Sequence, residues 1–277
     1  MKRKRRVAHA ILYTLLISVA LIWLFPLYWI VRTAFMEFGQ IRQYPPVFFP
    51  NPIIFTNFTE GLTSLPFDRY YLNTLIITVA CVTGVLFTGS LSAYTFARLR
   101  WPGRNQVFSL LLTSMMLPSA VTLVPSFIGW SVVGGVNTFL PLTVPAWFGG
   151  GAFSIFLLRQ FFLNVPREYD EAAYVDGAGY FAIYWRILIP CIKPALISVA
   201  MFAFINAWND FLLPLVYLND AKKFTISVGL RTFMGMYNSE WGYMMAATSV
   251  AVAPVIVVFF IGQKYIVEGV VMTGLKA

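Results

Sequence analysis

Long apolar stretches alternate with short polar segments along this chain. Six of them are long enough to cross a bilayer: residues 7–31, 71–97, 107–133, 138–158, 195–218 and 244–263. A helix needs roughly 20 apolar residues to span about 30 Å of hydrocarbon. The pattern therefore predicts an all-α membrane protein of six transmembrane helices. Between the fourth and fifth stretches lies a different pattern, over residues 167–190. Tyr169, Ala172, Ala173 and Asp176 recur at helical spacing, and Ala178, Phe181, Ala182, Trp185 and Ile189 form a second helical stripe. Gly177 sits between them, where a sharp turn needs a residue tolerant of positive φ. The expectation is helix, turn, helix, with Pro190 and Pro194 marking the entry into the fifth stretch.

Composition agrees with the pattern. Of 277 residues, 59% are hydrophobic and only 11% charged, against about a quarter charged in soluble domains. The 17% aromatic content suits interfacial belts of Trp and Tyr. The net charge of +9 lies beside apolar stretches, so it reads as membrane topology and not as nucleic-acid binding. With the amino terminus in the cytoplasm, 14 Lys and Arg fall on the inner side and 6 on the outer. That asymmetry predicts a multi-pass protein of the cytoplasmic (inner) membrane with both termini inside and segment 167–190 in the cytoplasm. The basic run Lys2 to Arg6 resembles a signal-peptide n-region. The apolar run after it is too long, with no small-residue cleavage pattern, so it reads as an uncleaved first helix. No repeat or low-complexity tract breaks the chain, so residues 1–277 read as a single domain.

The chemistry-bearing residues are few. Cys81, Cys191 and His9 have no metal-ligand spacing and no disulfide framework. No phosphate-binding G-x-x-x-x-G-K-[ST] loop occurs, and the Gly149-Gly150-Gly151 run lies in an apolar stretch, where it reads as close packing or flexibility. The chain is thus not expected to hydrolyse ATP. Asp210 is the one acidic or basic residue well inside a stretch, at a cost of about 2.5–3.5 kcal/mol at mid-bilayer. It lies roughly 12 Å from the outer end at 1.5 Å per residue. On a continuous helix Asn206 and Asp210 share a face, with Trp208 and Asn209 nearby. This group is either a candidate substrate pathway, with hydroxyl hydrogen bonds and ring stacking for a sugar, or an interhelical network to a partner subunit. Pro118 and Pro125 are the candidate hinge, the alternative being static shape. The polar stretch 37–70, with Pro45, Pro46, Pro50 and Pro52, favours extended backbone. It is either a connector or a surface for an external partner.

The acidic first helix of 167–190 carries Glu168, Asp170, Glu171 and Asp176. A helix lying on anionic lipid would be basic, so a basic protein groove is the better partner. The spacing Glu171-Ala172-Ala173, three residues, Gly177, nine residues, then Ile187, Ile189 and Pro190 resembles the EAA loop of ATP-binding-cassette importer permeases, with Ile189 in place of the usual Leu. The wider resemblance is to carbohydrate-uptake permeases similar to the second permease subunit of the maltose transporter. It rests on Phe25 to Trp29, Tyr44-Pro45-Pro46, Ala97 to Arg104, Trp208 to Leu215 and Gln263 to Gly269.

That resemblance implies a coupling role for Glu171, Ala172, Ala173, Asp176, Gly177 and Pro190 toward a pair of cytoplasmic ATPases. It implies further partners: a second permease subunit, either a homologue or another copy of this chain, an extracytoplasmic sugar-binding protein, and membrane lipid. No cofactor is expected on this chain, with ATP and Mg held by the ATPase subunits. A stand-alone secondary transporter or channel is the alternative. It would be expected to carry several ionisable groups at mid-membrane, and often inverted repeats. A membrane-embedded enzyme would need clustered His, Asp, Glu or Cys.

Overall fold

The computed structural model describes residues 2–235 and 240–274; Lys276, one of the 14 basic residues expected on the inner side, lies outside them. Every regular element among the described residues is helical. The α-helices in order are α1 (Lys2–Ala34), α2 (Phe38–Ile41), α3 (Thr56–Thr63), α4 (Phe67–Arg98), α5 (Arg104–Ser114), α6 (Ser119–Val132), α7 (Leu140–Thr143), α8 (Ala152–Asn164), α9 (Glu168–Val175), α10 (Tyr180–Ala182), α11 (Ile189–Cys191), α12 (Lys193–Asn209), α13 (Leu212–Tyr217), α14 (Ile226–Arg231) and α15 (Trp241–Gly274), with short 3-10 helices at Val144–Trp147 and Ala221–Lys223. A π-helical stretch, Ile183–Leu188, joins α10 to α11. Four helical segments are long and apolar enough to cross a bilayer, and two bent pairs qualify if each is counted as one span. The chain thus has four to six candidate spans.

The helices group into two compact units. The first comprises the chain up to Asp68 together with residues 229–253. Here none of the most apolar window of α1 is buried. Only its end is held. Asn57 donates from Nδ2 to the carbonyls of Ala34 (3.0 Å) and Met36 (2.8 Å), satisfying acceptors that a helix end leaves without partners. Arg32 lies over the Trp29 ring at 4.0 Å, and the Tyr28 hydroxyl donates to the Phe48 carbonyl. Residues 42–55 are non-helical, as the prolines dictate. The short helices α2 and α3 flank them, so the extended reading of the whole 37–70 segment holds only for its middle.

The second unit comprises residues 69–228 and the chain from Pro254 onward. Its main core is built from α4 (Ala93, Tyr94, Phe96), α8 (Leu158, Phe162), α9 (Ala173), the π-helical stretch (Ile183, Tyr184, Leu188) and α12 (Ala195, Val199). Small residues on α4 admit neighbours closely. A Cβ on Gly84 would stand 2.8 Å from Trp147.

Three predicted spans are interrupted, each for a local reason. Stretch 107–133 bends by 100° between α5 and α6, at Pro118, whose ring disfavours helical backbone at Leu117. Pro125, the other hinge candidate, lies inside α6 with no break. Stretch 138–158 is divided into α7, a 3-10 turn and α8 by the Gly149-Gly150-Gly151 run, all three at positive φ. Stretch 195–218 is not one helix. α12 ends at Asn209, Asp210 is extended (φ −62°, ψ 124°), and α13 begins at Leu212. Pro214 accounts for this, because its ring would clash with the carbonyl four residues earlier, that of Asp210. The shared helical face expected for Asn206 and Asp210 is therefore absent.

Candidate functional site

The segment after α8 follows the predicted helix, turn, helix. Val165 precedes Pro166 and is extended, which ends α8. The first turn of α9 carries Glu168, Asp170 and Glu171, where the helix dipole favours negative charge. Its other end is closed by two backbone bonds, Gly177 N–H to the Tyr174 carbonyl (3.0 Å) and Ala178 N–H to the Ala173 carbonyl (2.9 Å). Gly177 sits at φ 82°, the left-handed position this cap requires.

The faces of α9 divide sharply. Glu171, Ala172 and Asp176 are exposed. Ala173 is buried in the chain's own core, so of the two alanines only Ala172 is exposed. Asp170 is also buried. Its Oδ2 lies 3.3 Å from Nε of Arg98, at the last residue of α4. The same guanidinium donates from Nη2 to the Val165 carbonyl at 2.6 Å. Burial pushes the Asp170 carboxyl above its ordinary value, and Arg98 and Arg167 oppose the shift. Burial likewise raises the Tyr174 hydroxyl, with Tyr180 adding to the effect. Beside α9 is a recess of about 480 Å³ lined by Arg98, Leu99, Arg100, Trp101, Arg167, Asp170, Glu171, Tyr174 and Tyr180. Pro190 sits in α11, before the 81° bend into α12.

A second cavity, of about 500 Å³, lies among the interrupted helices. Its walls are Cys81 and Val85 of α4, Ser114 and Met115 at the end of α5, residues 150–154 at the start of α8, and Phe202, Ala203, Asn206, Ala207 and Asp210. Asn206 and Asp210 meet here even though no common helix carries them. Asp210 Oδ1 accepts the N–H of Leu213 at 3.3 Å. The two other candidates from the sequence lie elsewhere. Trp208 is buried, stacked on Phe204 (5.4 Å) and edge-on to Tyr71 (5.3 Å). Asn209 turns back to donate to the Ile205 carbonyl at 3.0 Å. The lining combines carboxylate, amide and hydroxyl groups with the Phe153 and Phe202 rings, which pack edge-on at 6.0 Å, and the volume is that of a small-molecule site.

Sequence reasoning missed Arg98 as a partner of Asp170, and missed Ser114 and Ser154 in the cavity. Asp170 was recoverable, since it lies three residues before Ala173 on the buried face. Ser114 and Ser154 were not, because helix breaks bring them to the cavity.

A sequence profile for the family described as "Binding-protein-dependent transport system inner membrane component" matches residues 84–271. The chain is 31% identical to the diacetylchitobiose uptake system permease protein NgcG of Streptomyces coelicolor, over 94% of this chain and 87% of that protein. It is 31% identical to the sn-glycerol-3-phosphate transport system permease protein UgpE of Yersinia pestis, over 98% and 99%. Among solved structures it resembles a chain of a bacterial ABC transporter involved in the import of the acidic polysaccharide alginate. The TM-score there is 0.82 with 27% identity, covering 95% of this chain and 98% of that one.

Proposed function

Since this chain belongs to the family of binding-protein-dependent transport system inner membrane components, we propose that it is the permease subunit of an ATP-driven importer for a sugar or related polyol. It works with a pair of ATPases, a second permease subunit and an extracytoplasmic binding protein. Residues 1–277 act as one permease domain with six spans, the fifth beginning after the cytoplasmic segment 167–190, and both termini in the cytoplasm. Helix α9 is the coupling helix. ATP and Mg²⁺ are held by the ATPase pair, and this chain carries no cofactor.

The observation that carries this reading is the exposed acidic edge of α9. Glu171 and Asp176 point outward from a helix whose opposite face is fixed in the core. Such an edge fits a basic groove on a soluble partner, with Glu171 as the charged contact. The cavity bordered by Asn206 and Asp210 is the candidate solute path.

The test begins with affinity purification from the native membrane and identification of the solute retained by the binding protein. The purified complex is then placed in vesicles, and ATP-dependent uptake of that solute is measured. Uptake that requires ATP is expected. Glu171→Arg is expected to abolish it while membrane insertion stays normal. Uptake by this chain without ATPase subunits, or full uptake by Glu171→Arg, would refute the reading.

A further inference from the structure

One stripe of α4 makes polar contacts with the chain on both sides of α9. Ser90, Tyr94 and Arg98 stand four residues apart and share a helical face. Ser90 Oγ and the Tyr184 hydroxyl are 2.7 Å apart. The Tyr94 hydroxyl donates to the Tyr180 carbonyl at 3.0 Å, and its ring lies 5.2 Å from that of Tyr184. Arg98 bonds the Val165 carbonyl just before α9 and faces Asp170 in its first turn. The backbone on either side of α9, residues 165–167 and 176–179, is not helical. On the exit side Gly177 and Gly179 have nothing within 4 Å of where a Cβ would be. Side-chain contacts, not continuous helix, therefore fix α9 to α4.

The charged pair is the unusual member of the stripe. Its side chains are only 5% and 13% exposed. Burying both charges is costly, and an apolar pair would hold as well without that cost. A guanidinium that holds the Val165 carbonyl and Asp170 together fixes the direction of α9 as well as its position.

We propose that Arg98, Asp170 and Tyr94 are positioning residues that lock α9 to the end of α4, so that displacement of α9 is delivered to α4 instead of being absorbed in the 165–167 and 176–179 connections. This rests on the coupling reading given above. It assigns the transmitting contact to a named face of α4, distinct from the contact at Glu171.

The experiment uses the complete complex in vesicles and measures, in the same sample, ATP hydrolysed and solute taken up, with the solute released from the purified binding protein as probe. Asp170→Asn is expected to keep the ATPase subunits bound and hydrolysing. Uptake per ATP should fall by about 2- to 30-fold, and Asp170→Glu should restore much of it. Tyr94→Phe, which removes one hydroxyl, should lower the ratio by a smaller factor. An unchanged ratio in Asp170→Asn overturns the proposal. If Asp170→Asn loses its ATPase subunits, Tyr94→Phe decides, and an unchanged ratio there overturns it. Absence of ATP-dependent uptake in the unmutated complex would instead refute the transport reading itself.

Discussion

Replacing Gly150 with alanine tests how the wall of the cavity is built. Gly150 has φ 66°, and a Cβ there would stand 2.8 Å from Cα and 2.9 Å from the carbonyl oxygen of Val85. Those are main-chain atoms of α4, so no side chain can swing away to make room. Two costs add. A left-handed non-glycine residue costs about 1–2 kcal/mol. Forcing backbones apart in a packed interior costs about 1–3 kcal/mol. Their sum is about 2–5 kcal/mol. Gly177→Ala supplies the control, because Gly177 has φ 82° with open space around it. It incurs only the conformational cost of about 1–2 kcal/mol. The difference, about 1–3 kcal/mol, should appear as a melting temperature about 2–12 °C lower for Gly150→Ala than for Gly177→Ala in detergent. Equal melting temperatures would mean that α8 does not approach α4 as closely as the geometry requires.

Acidity probes Asp170. Its carboxyl is raised above 3.8 by burial, against Arg98 and Arg167 and with Glu171 adding to the rise. The folded state thus binds this proton more tightly than the unfolded one. The stability it contributes grows as pH falls toward 3.8 and is lost as pH rises through the folded-state value. Asp170→Asn should flatten that part of the melting-temperature profile, and an unchanged slope would assign it to other groups. Gly262 packs on Met201, where a new Cβ would collide with the thioether sulfur. Gly262→Ala should therefore destabilise, and Met201→Ala in the same chain should recover part of the loss. Melting measurements on the two single variants and the pair should give a coupling of about 0.5–3 kcal/mol, whereas strict additivity would deny the contact.

The helices with clean apolar runs were legible from the sequence. Residues 7–31 and 244–263 fall inside α1 and α15, and residues 71–97 match α4 almost end to end. The turn at Gly177 was legible too, because a left-handed cap leaves a residue-type signature. What hydropathy could not show was where an apolar run stops being one helix. Leu212, Leu213 and Leu215 are as apolar as the residues of α12, so window averages pass over the break at Asp210. Pro214 was the signal, and it acts on the residue four positions back. Burial on α9 was hidden for a different reason. A charged Asp170 reads as solvent-facing unless its partner is known, and Arg98 is 72 positions away in the chain.

The three interruptions share a location. Met115, just before the bend at Pro118, lines the cavity; so do Gly150 and Gly151, where α8 begins, and Asp210, where α12 stops. In hydrocarbon each helix break exposes carbonyl and N–H groups that lipid cannot satisfy. Such backbone is tolerated at membrane depth only where protein buries it or water reaches it. Three breaks placed around one cavity of about 500 Å³ put the irregular backbone beside a single polar space. The same space is lined by the polar side chains of Ser114, Ser154, Asn206 and Asp210. An alternative in which the breaks only shape the bundle predicts no preference for where they fall. Substituting Asn206 by Leu separates the two ideas. A solute path predicts a raised KM for uptake at unchanged ATPase binding, whereas a purely architectural cavity predicts KM unaltered.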